Sequence, residues 1–266
     1  SDGAAFSDVA LSVPPVYRDL PKDYGPFSPF GDGGILTYTG RFFACGGAAV
    51  PPEVIPAANQ AFEHCAAFRV FGSSEVPLVT LGYPDRADEQ LAATTDGAIR
   101  GYQVRIVDDD GRDLPAGQEG EILARGPAMF MGYADQQQTL EAITADGYFR
   151  TGDLGCITPG GAILITGRKK DLIIRGGENI SAREIEDVLH AHAQVREAAV
   201  VAMPHARLGE GVCAYIIATG TAADPQALSD HVAASGLAKQ KIPERFEFVA
   251  DLPRTPSGKV RKDVLR

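Results

Sequence analysis

The segment Gly167-Arg168-Lys169-Lys170-Asp171-Leu172-Ile173-Ile174-Arg175-Gly176-Gly177-Glu178-Asn179-Ile180 sets the tightest limit on how this chain can fold. A core strand does not begin with so much positive charge, and a solvated face does not continue into Leu-Ile-Ile. The segment reads as a charged turn feeding a short buried strand, which breaks at Gly176-Gly177. A glycine pair permits positive φ or close approach by a ligand. The segment also separates two patterns, one β-rich and one mixed. These residues alone are compatible with a plain hairpin edge or with a functional joint.

Upstream, Asp8 to Val16 reads as a strand ending at Pro14-Pro15, and Pro21 to Gly34 as a loop. Arg41 to Cys45 reads as a buried strand stopped by Gly46-Gly47. Pro52 to Ala66 carries Val54, Ile55, Ala58, Phe62 and Cys65 on one helical face, and Phe68 to Gly72 is a further strand. Strand, helix, strand predicts part of a parallel α/β sheet. From about Gly97 the elements become short and β-like. Tyr102 to Val107 alternates, Asp110-Gly111 is a hairpin signal, and Glu119 to Ala124 is the expected partner. After Asp171, Ser181-Ala182-Arg183-Glu184 forms a capping box ahead of Ile185, Val188 and Leu189, in a helix ending near His192. Ala198 to Ala202 and Val212 to Ala218 read as short strands, Ala227 to Leu237 as a helix, and Arg245 to Val249 as a half-exposed strand. A compact α+β unit of about a hundred residues fits this tail.

The chain has 266 residues, 44% of them hydrophobic, so it can bury a sizeable core in one or two domains. A net charge of −10 argues against a general nucleic-acid or anionic-membrane surface, while leaving room for a local basic pocket. No apolar run approaches the roughly 18 residues of a membrane span. Ser1-Asp2-Gly3-Ala4-Ala5 has neither a basic region nor an apolar signal core, so a cytoplasmic protein is expected. Cys45, Cys65, Cys156 and Cys213 form no CxxC pair and are expected to be free thiols. His64, His190, His192, His205 and His231 lack metal-ligand spacing.

Three segments carry chemistry. Phe71-Gly72-Ser73-Ser74-Glu75 follows a predicted strand, where α/β sheets bind ligands, and Glu75 suits Mg²⁺. A polar loop capped by a serine explains these residues equally well. Tyr148-Phe149-Arg150-Thr151-Gly152-Asp153-Leu154 puts an acid in a tight turn, able to accept two ribose hydroxyls or to cap its own turn. A hairpin through Gly160-Gly161 would bring Arg168 to Asp153. Pro253-Arg254-Thr255-Pro256-Ser257-Gly258-Lys259 is a loop with Lys259 on it. It lacks the spacing of a Walker A loop.

Taken in order, these segments resemble the adenylate-forming superfamily of acyl-CoA synthetases, luciferase-like enzymes and nonribosomal adenylation domains. The motifs are Gly46 to Pro51, Phe71 to Glu75, Gly120-Glu121-Ile122 with Arg125-Gly126-Pro127 and Gly132-Tyr133, Tyr148 to Leu154, Gly167 to Glu186, and Pro253 to Lys259. The Gly-Gly-Glu-Asn-Ile form at 176–180 is most similar to carboxylate–CoA ligases. The resemblance implies the C-terminal half of such an enzyme. Residues 1–169 would be the rest of a large domain, α/β over 1–96 and β-rich and barrel-like over 97–169. Residues 170–266 would be a small mobile α+β domain hinged at Lys170.

The resemblance further implies roles for single residues. Gly47 and Ala48 would line the nucleotide or acyl pocket, and Phe71, where a Tyr is more usual, would stack on adenine beside Gly72. Ser74, where Thr is commoner, would contact the adenylate phosphate, and Glu75 would bind Mg²⁺. Asp153 and Arg168 would hold the ribose, Gly176 and Gly177 would border the CoA pantetheine, and Lys259 would be the adenylation lysine. The family's phosphate loop, rich in Ser, Thr and Gly, has no counterpart in these residues. The expected reaction is adenylation of a carboxylic acid by ATP, then displacement of AMP by CoA. Fatty, alicyclic and aromatic acids all remain open as substrates. A fragment lacking the phosphate loop is expected to be inactive alone, a residual nucleotide-binding or assembly module. Loading of a carrier protein is the other alternative, and self-association of the chain is also expected.

Overall fold

The computed structural model describes residues 9–12, 42–47, 50–62, 65–220, 224–256 and 258–266. By proximity the chain divides into two units. Ser1–Thr151 and Gly155–Ile165 form the first, and Gly152–Leu154 and Thr166–Arg266 the second. The fold is mixed α/β with several sheets.

In the first unit, β1 (Val9–Ser12), β2 (Phe42–Cys45) and β3 (Ala66–Arg69) form a parallel sheet in that order. α1 (Val54–Ala61) crosses from β2 to β3 and buries Val54, Ile55 and Ala58 against Phe43 and Phe68. Every residue of β3 is buried, as parallel strands covered on both faces require. Two buried polar groups in this region complete their hydrogen bonds inside the protein, which a hydrophobic pattern cannot foretell. Asn59 Oδ1 accepts the Ala67 amide at 2.7 Å, and Arg69 Nε and Nη2 both donate to Asp96 Oδ1. The predicted strand at Phe68 to Gly72 starts and ends earlier, because Phe71 leaves the ladder to pair with Thr80.

β4 (Thr80–Leu81), α2 (Glu89–Thr94) and β5 (Ala98–Ile99) lead into a four-stranded sheet. It comprises β6 (Gln103–Val107), β7 (Gly120–Arg125), β8 (Phe149–Ile157) and β9 (Ile163–Arg168), in that order, with α3 (Gln136–Ala142) between β7 and β8. The barrel-like section is thus a linear run of strands with no closed barrel. Asp110-Gly111 does turn the chain, but only as far as an isolated bridge between Val107 and Asp113. β7 begins after a further loop, because Pro115 and Gly117 interrupt the returning strand. Gly117 has φ +84, and its amide bonds to Ile157.

The second unit is built on β10 (Leu172–Arg175), β11 (Glu178–Ser181), β12 (Val195–His205) and β13 (Gly209–Ala218). The sheet order is β11-β10-β13-β12, and β14 (Arg245–Phe248) pairs in parallel with β13. α4 (Ala182–His190) and α5 (Pro225–Ala234) supply Ile185, Leu189, Leu228 and Val232 to a core shared with Ile173 and Ile180, and α6 (Lys262–Leu265) follows. Each such fully buried side chain contributes about 1.5–3 kcal/mol. β12 and β13 are far longer than the short apolar runs suggested, because their polar ends at Glu197, His205 and Glu210 also join the ladder. The capping box is half made. Ser181 Oγ accepts the Glu184 amide at 3.5 Å, while the Glu184 carboxylate turns to Lys241 at 2.5 Å.

Candidate functional site

In the first unit, Gly46 and Gly47 end β2 for different reasons. A Cβ at Gly46 would lie 2.6 Å from the Val70 carbonyl oxygen, whereas Gly47 has φ +80. Ala48 lies outside the described residues. Gly72 is required by packing, since a Cβ there would lie 2.5 Å from the Leu78 amide nitrogen. Leu78 itself sits at φ 50, a conformation costing a non-glycine residue roughly 1–2 kcal/mol. The loop between them is stitched by Ser73, whose Oγ accepts the amides of Glu75 and Val76 at 3.2 and 3.3 Å. Ser74, the residue expected at the phosphate, is exposed at the middle of that turn, whose bonds are made by Ser73. Phe71 is 8% exposed and packs with Val76, Val79, Ile122 and Phe149, so little of its ring faces outward.

Glu75 is half-buried, and its Oε1 accepts the Tyr133 hydroxyl at 2.9 Å. Its backbone carbonyl accepts the Phe130 amide at 2.8 Å. Two motifs far apart in the chain therefore meet at one carboxylate. Burial first, then the Glu75 carboxylate, pushes the Tyr133 hydroxyl above its ordinary range, so it stays a donor. The sequence had assigned Tyr133 no role, although it lies in one of the motifs. Among the described residues no group of three or more His, Cys, Asp or Glu side chains gathers as a metal centre.

The hairpin of β8 and β9 turns through Gly161 (φ +81) in the first unit, and its residues Gly152–Leu154 and Thr166–Arg168 belong to the second. Arg168 Nε donates to Asp153 Oδ1 at 2.8 Å. Asp153 sits within β8, not in a tight turn. The tight backbone is one residue earlier, where Gly152 takes φ +69 inside the strand. The Asp153 residue is 5% exposed. Burial pushes its carboxyl above the usual carboxylate range, against the opposing pull of Arg168, Lys259 and Arg183. Arg183 was seen in the sequence only as part of the capping box.

Lys170 lies in a 3₁₀ turn, Lys169–Asp171, and its carbonyl accepts Arg266 Nη2 at 2.8 Å. Gly176 and Gly177 have φ +61 and +88 and link Arg175 to Glu178 across a two-residue hairpin turn. Positive φ at both central positions is what a type I′ turn demands, so the turn alone accounts for both glycines. Nothing would meet a Cβ at Gly177 within 4 Å. Lys259 is exposed on a small loop. Its amide donates to Thr255 Oγ1 at 3.1 Å and its carbonyl accepts the Thr255 amide at 2.8 Å. Three cysteines are buried and Cys156 is half-buried, all as free thiols.

Comparison with known proteins supplies the frame for this geometry. The family model of AMP-binding enzymes matches residues 8–134, and that of the AMP-binding enzyme C-terminal domain matches 184–259. The chain is 41% identical over 231 residues to the medium-chain fatty-acid–CoA ligase of Escherichia coli K12, covering 85% of this chain and 40% of that one. It is 39% identical over 204 residues to the 2,3-dihydroxybenzoate–AMP ligase of Bacillus subtilis, covering 76% of this chain and 38% of the relative. Among solved structures it superposes on the amide bond synthetase of Marinactinospora thermotolerans with a TM-score of 0.77 and 34% identity, over 85% of this chain and 46% of that one. The chain spans less than half the length of these relatives. Two matched family models in order, on a fold shared with solved relatives, place the chain in the adenylate-forming superfamily of AMP-binding enzymes.

Proposed function

We propose that the full-length protein is an ATP-dependent carboxylate–CoA ligase, which forms an acyl-adenylate and passes the acyl group to the thiol of CoA. The observation that carries the reading is the convergence on Asp153 of Arg168 and the field of Lys259, residues far apart in the chain. A carboxylate already fixed by a guanidinium is oriented to accept two vicinal hydroxyls, as a ribose presents. In the first half-reaction a carboxylate oxygen attacks the α-phosphate of ATP and pyrophosphate leaves. Two anions must approach, so cations are needed where charge develops. Lys259, exposed on its loop, is the cation we assign to that task.

Glu75 is the residue we assign to Mg²⁺. Proteins commonly hold this ion through one or two carboxylates together with substrate phosphates and water. Glu75 offers such a single carboxylate, oriented by Tyr133. When bound, the ion would neutralise charge on the polyphosphate. Ser74, Gly72, Gly47 and Phe71 are assigned to the phosphate and adenine neighbourhood, and Lys170 to the joint at which the chain reorients between half-reactions. CoA as acceptor is supported by the likeness to the E. coli ligase. The likeness to the dihydroxybenzoate–AMP ligase favours a second reading, transfer of the adenylate to another acceptor.

A CoA-thioester assay of the full-length protein against fatty, alicyclic and aromatic acids separates the two. The CoA reading expects thioester with stoichiometric AMP. Adenylate formed without thioester would favour the second reading.

A further inference from the structure

Within the loop that carries Lys259, the Arg254 side chain ties the chain to the sheet of the second unit. Its Nη2 donates to both carboxylate oxygens of Glu197, 2.6 Å from Oε1. Its Nη1 donates to the carbonyl of Gly258 at 3.0 Å, immediately before Lys259. Glu197 is 8% exposed and lies on β12, at the point where the ladder to β13 shifts register. The loop ends are anchored too. Leu252 is buried against Ala199 and Ile217 with Val260 packed beside it, and Arg254 and Val260 form an antiparallel bridge.

The geometry points to Arg254 as a positioning residue for Lys259, acting by splinting the lysine loop to Glu197. The inference rests on the assignment of Lys259 to adenylation and adds a residue that touches neither nucleotide nor acid. A guanidinium is suited to the task because its planar fork serves two acceptors at fixed angles, which an ammonium cannot. The Thr255–Lys259 backbone pairs close the loop on itself without tying it to the sheet. A cation misplaced by about 1 Å loses on the order of a hundredfold in rate, so a splint of this kind acts on the chemical step.

The test uses the full-length protein with Arg254→Lys, which keeps charge beside Glu197 and gives up the arm to Gly258. The double change Glu197→Met with Arg254→Met replaces the pair by apolar groups and guards against a folding artefact. Both variants are expected to lower ATP–pyrophosphate exchange about tenfold or more. CoA-thioester formation from supplied acyl-adenylate should stay within about twofold of wild type, and the Thr255 and Gly258 amides should exchange hydrogen faster. Unchanged pyrophosphate exchange, equal loss of both half-reactions, or unchanged amide protection in either variant overturns the splint. Wild-type protein that shows no ATP–pyrophosphate exchange with any acid instead removes the adenylation reading itself, and this inference with it.

Discussion

Asp153 is held where burial works against its charge. Burial raises its pKa more than Arg168, Lys259 and Arg183 lower it, so the folded surroundings disfavour its charge on balance. Asp153→Asn keeps the shape and removes that burden. It should therefore leave thermal stability within about 1 kcal/mol of wild type, or raise it, while the KM for ATP rises about tenfold or more. Unchanged KM in a steady-state assay would contradict the ribose assignment. Both partners of this pair were visible in the sequence, because a glycine turn between two strands predicts which residues meet across them. Tyr133 on Glu75 was not visible, since nothing local links a tyrosine to a carboxylate in a distant loop. Arg183 was hidden for the same reason, its charge reaching Asp153 only through the tertiary fold.

At the level of elements, hydrophobic period and cap residues located α1, α4 and α5 and many of the strands, missed α2, α3 and α6, and fell short where polar groups extend a ladder. β12 and β13 are the clearest case, their ends carried by Glu197, His205 and Glu210. The β10–β11 hairpin shows a second lesson, because glycines that could serve a ligand are already required by turn geometry. Gly176→Asn separates the two causes. Asn tolerates the left-handed conformation, and its Cβ would press only on the flexible tip of Leu208, 3.3 Å away. Stability should fall by no more than about 0.5–1 kcal/mol. A large rise in the KM for CoA with the melting temperature held would mark close passage of the thiol. An unchanged KM would leave the turn as the whole explanation. Glu244 governs a third element, the start of β14. Burial pushes its carboxyl up, but Arg175 at 2.5 Å, the Val212 amide and His205 outweigh this and hold it below the ordinary glutamate value of 4.5. Its stabilising contribution is thus fully present above that value and is lost as pH falls through the lower folded pKa. Glu244→Gln should cost about 1 kcal/mol at pH 7, and the difference from wild type should shrink in acid denaturation series once pH drops below the ordinary glutamate range, vanishing only below the lowered folded pKa.

For the whole molecule, the order of motifs carried more information than any one of them. Residues 148–183, between the two matched family models, hold Asp153, Arg168, Lys170 and the glycine turn. No helix among the described residues is long and apolar enough to cross a membrane. The strand–helix–strand start and the α+β tail could be read from hydrophobic period. The open run of β6 to β9 could not, because closure of a sheet depends on pairings far apart in sequence. Lys259 is assigned to adenylation and is expected to be dispensable for transfer to the thiol. The direct measurement compares Lys259→Ala with wild type in the full-length protein, by ATP–pyrophosphate exchange and by CoA-thioester formation from supplied acyl-adenylate. Exchange is expected to fall at least about a hundredfold, consistent with loss of a positioned charge at the transition state, with thioester formation within a few-fold of wild type. Exchange at the wild-type rate would contradict the claim.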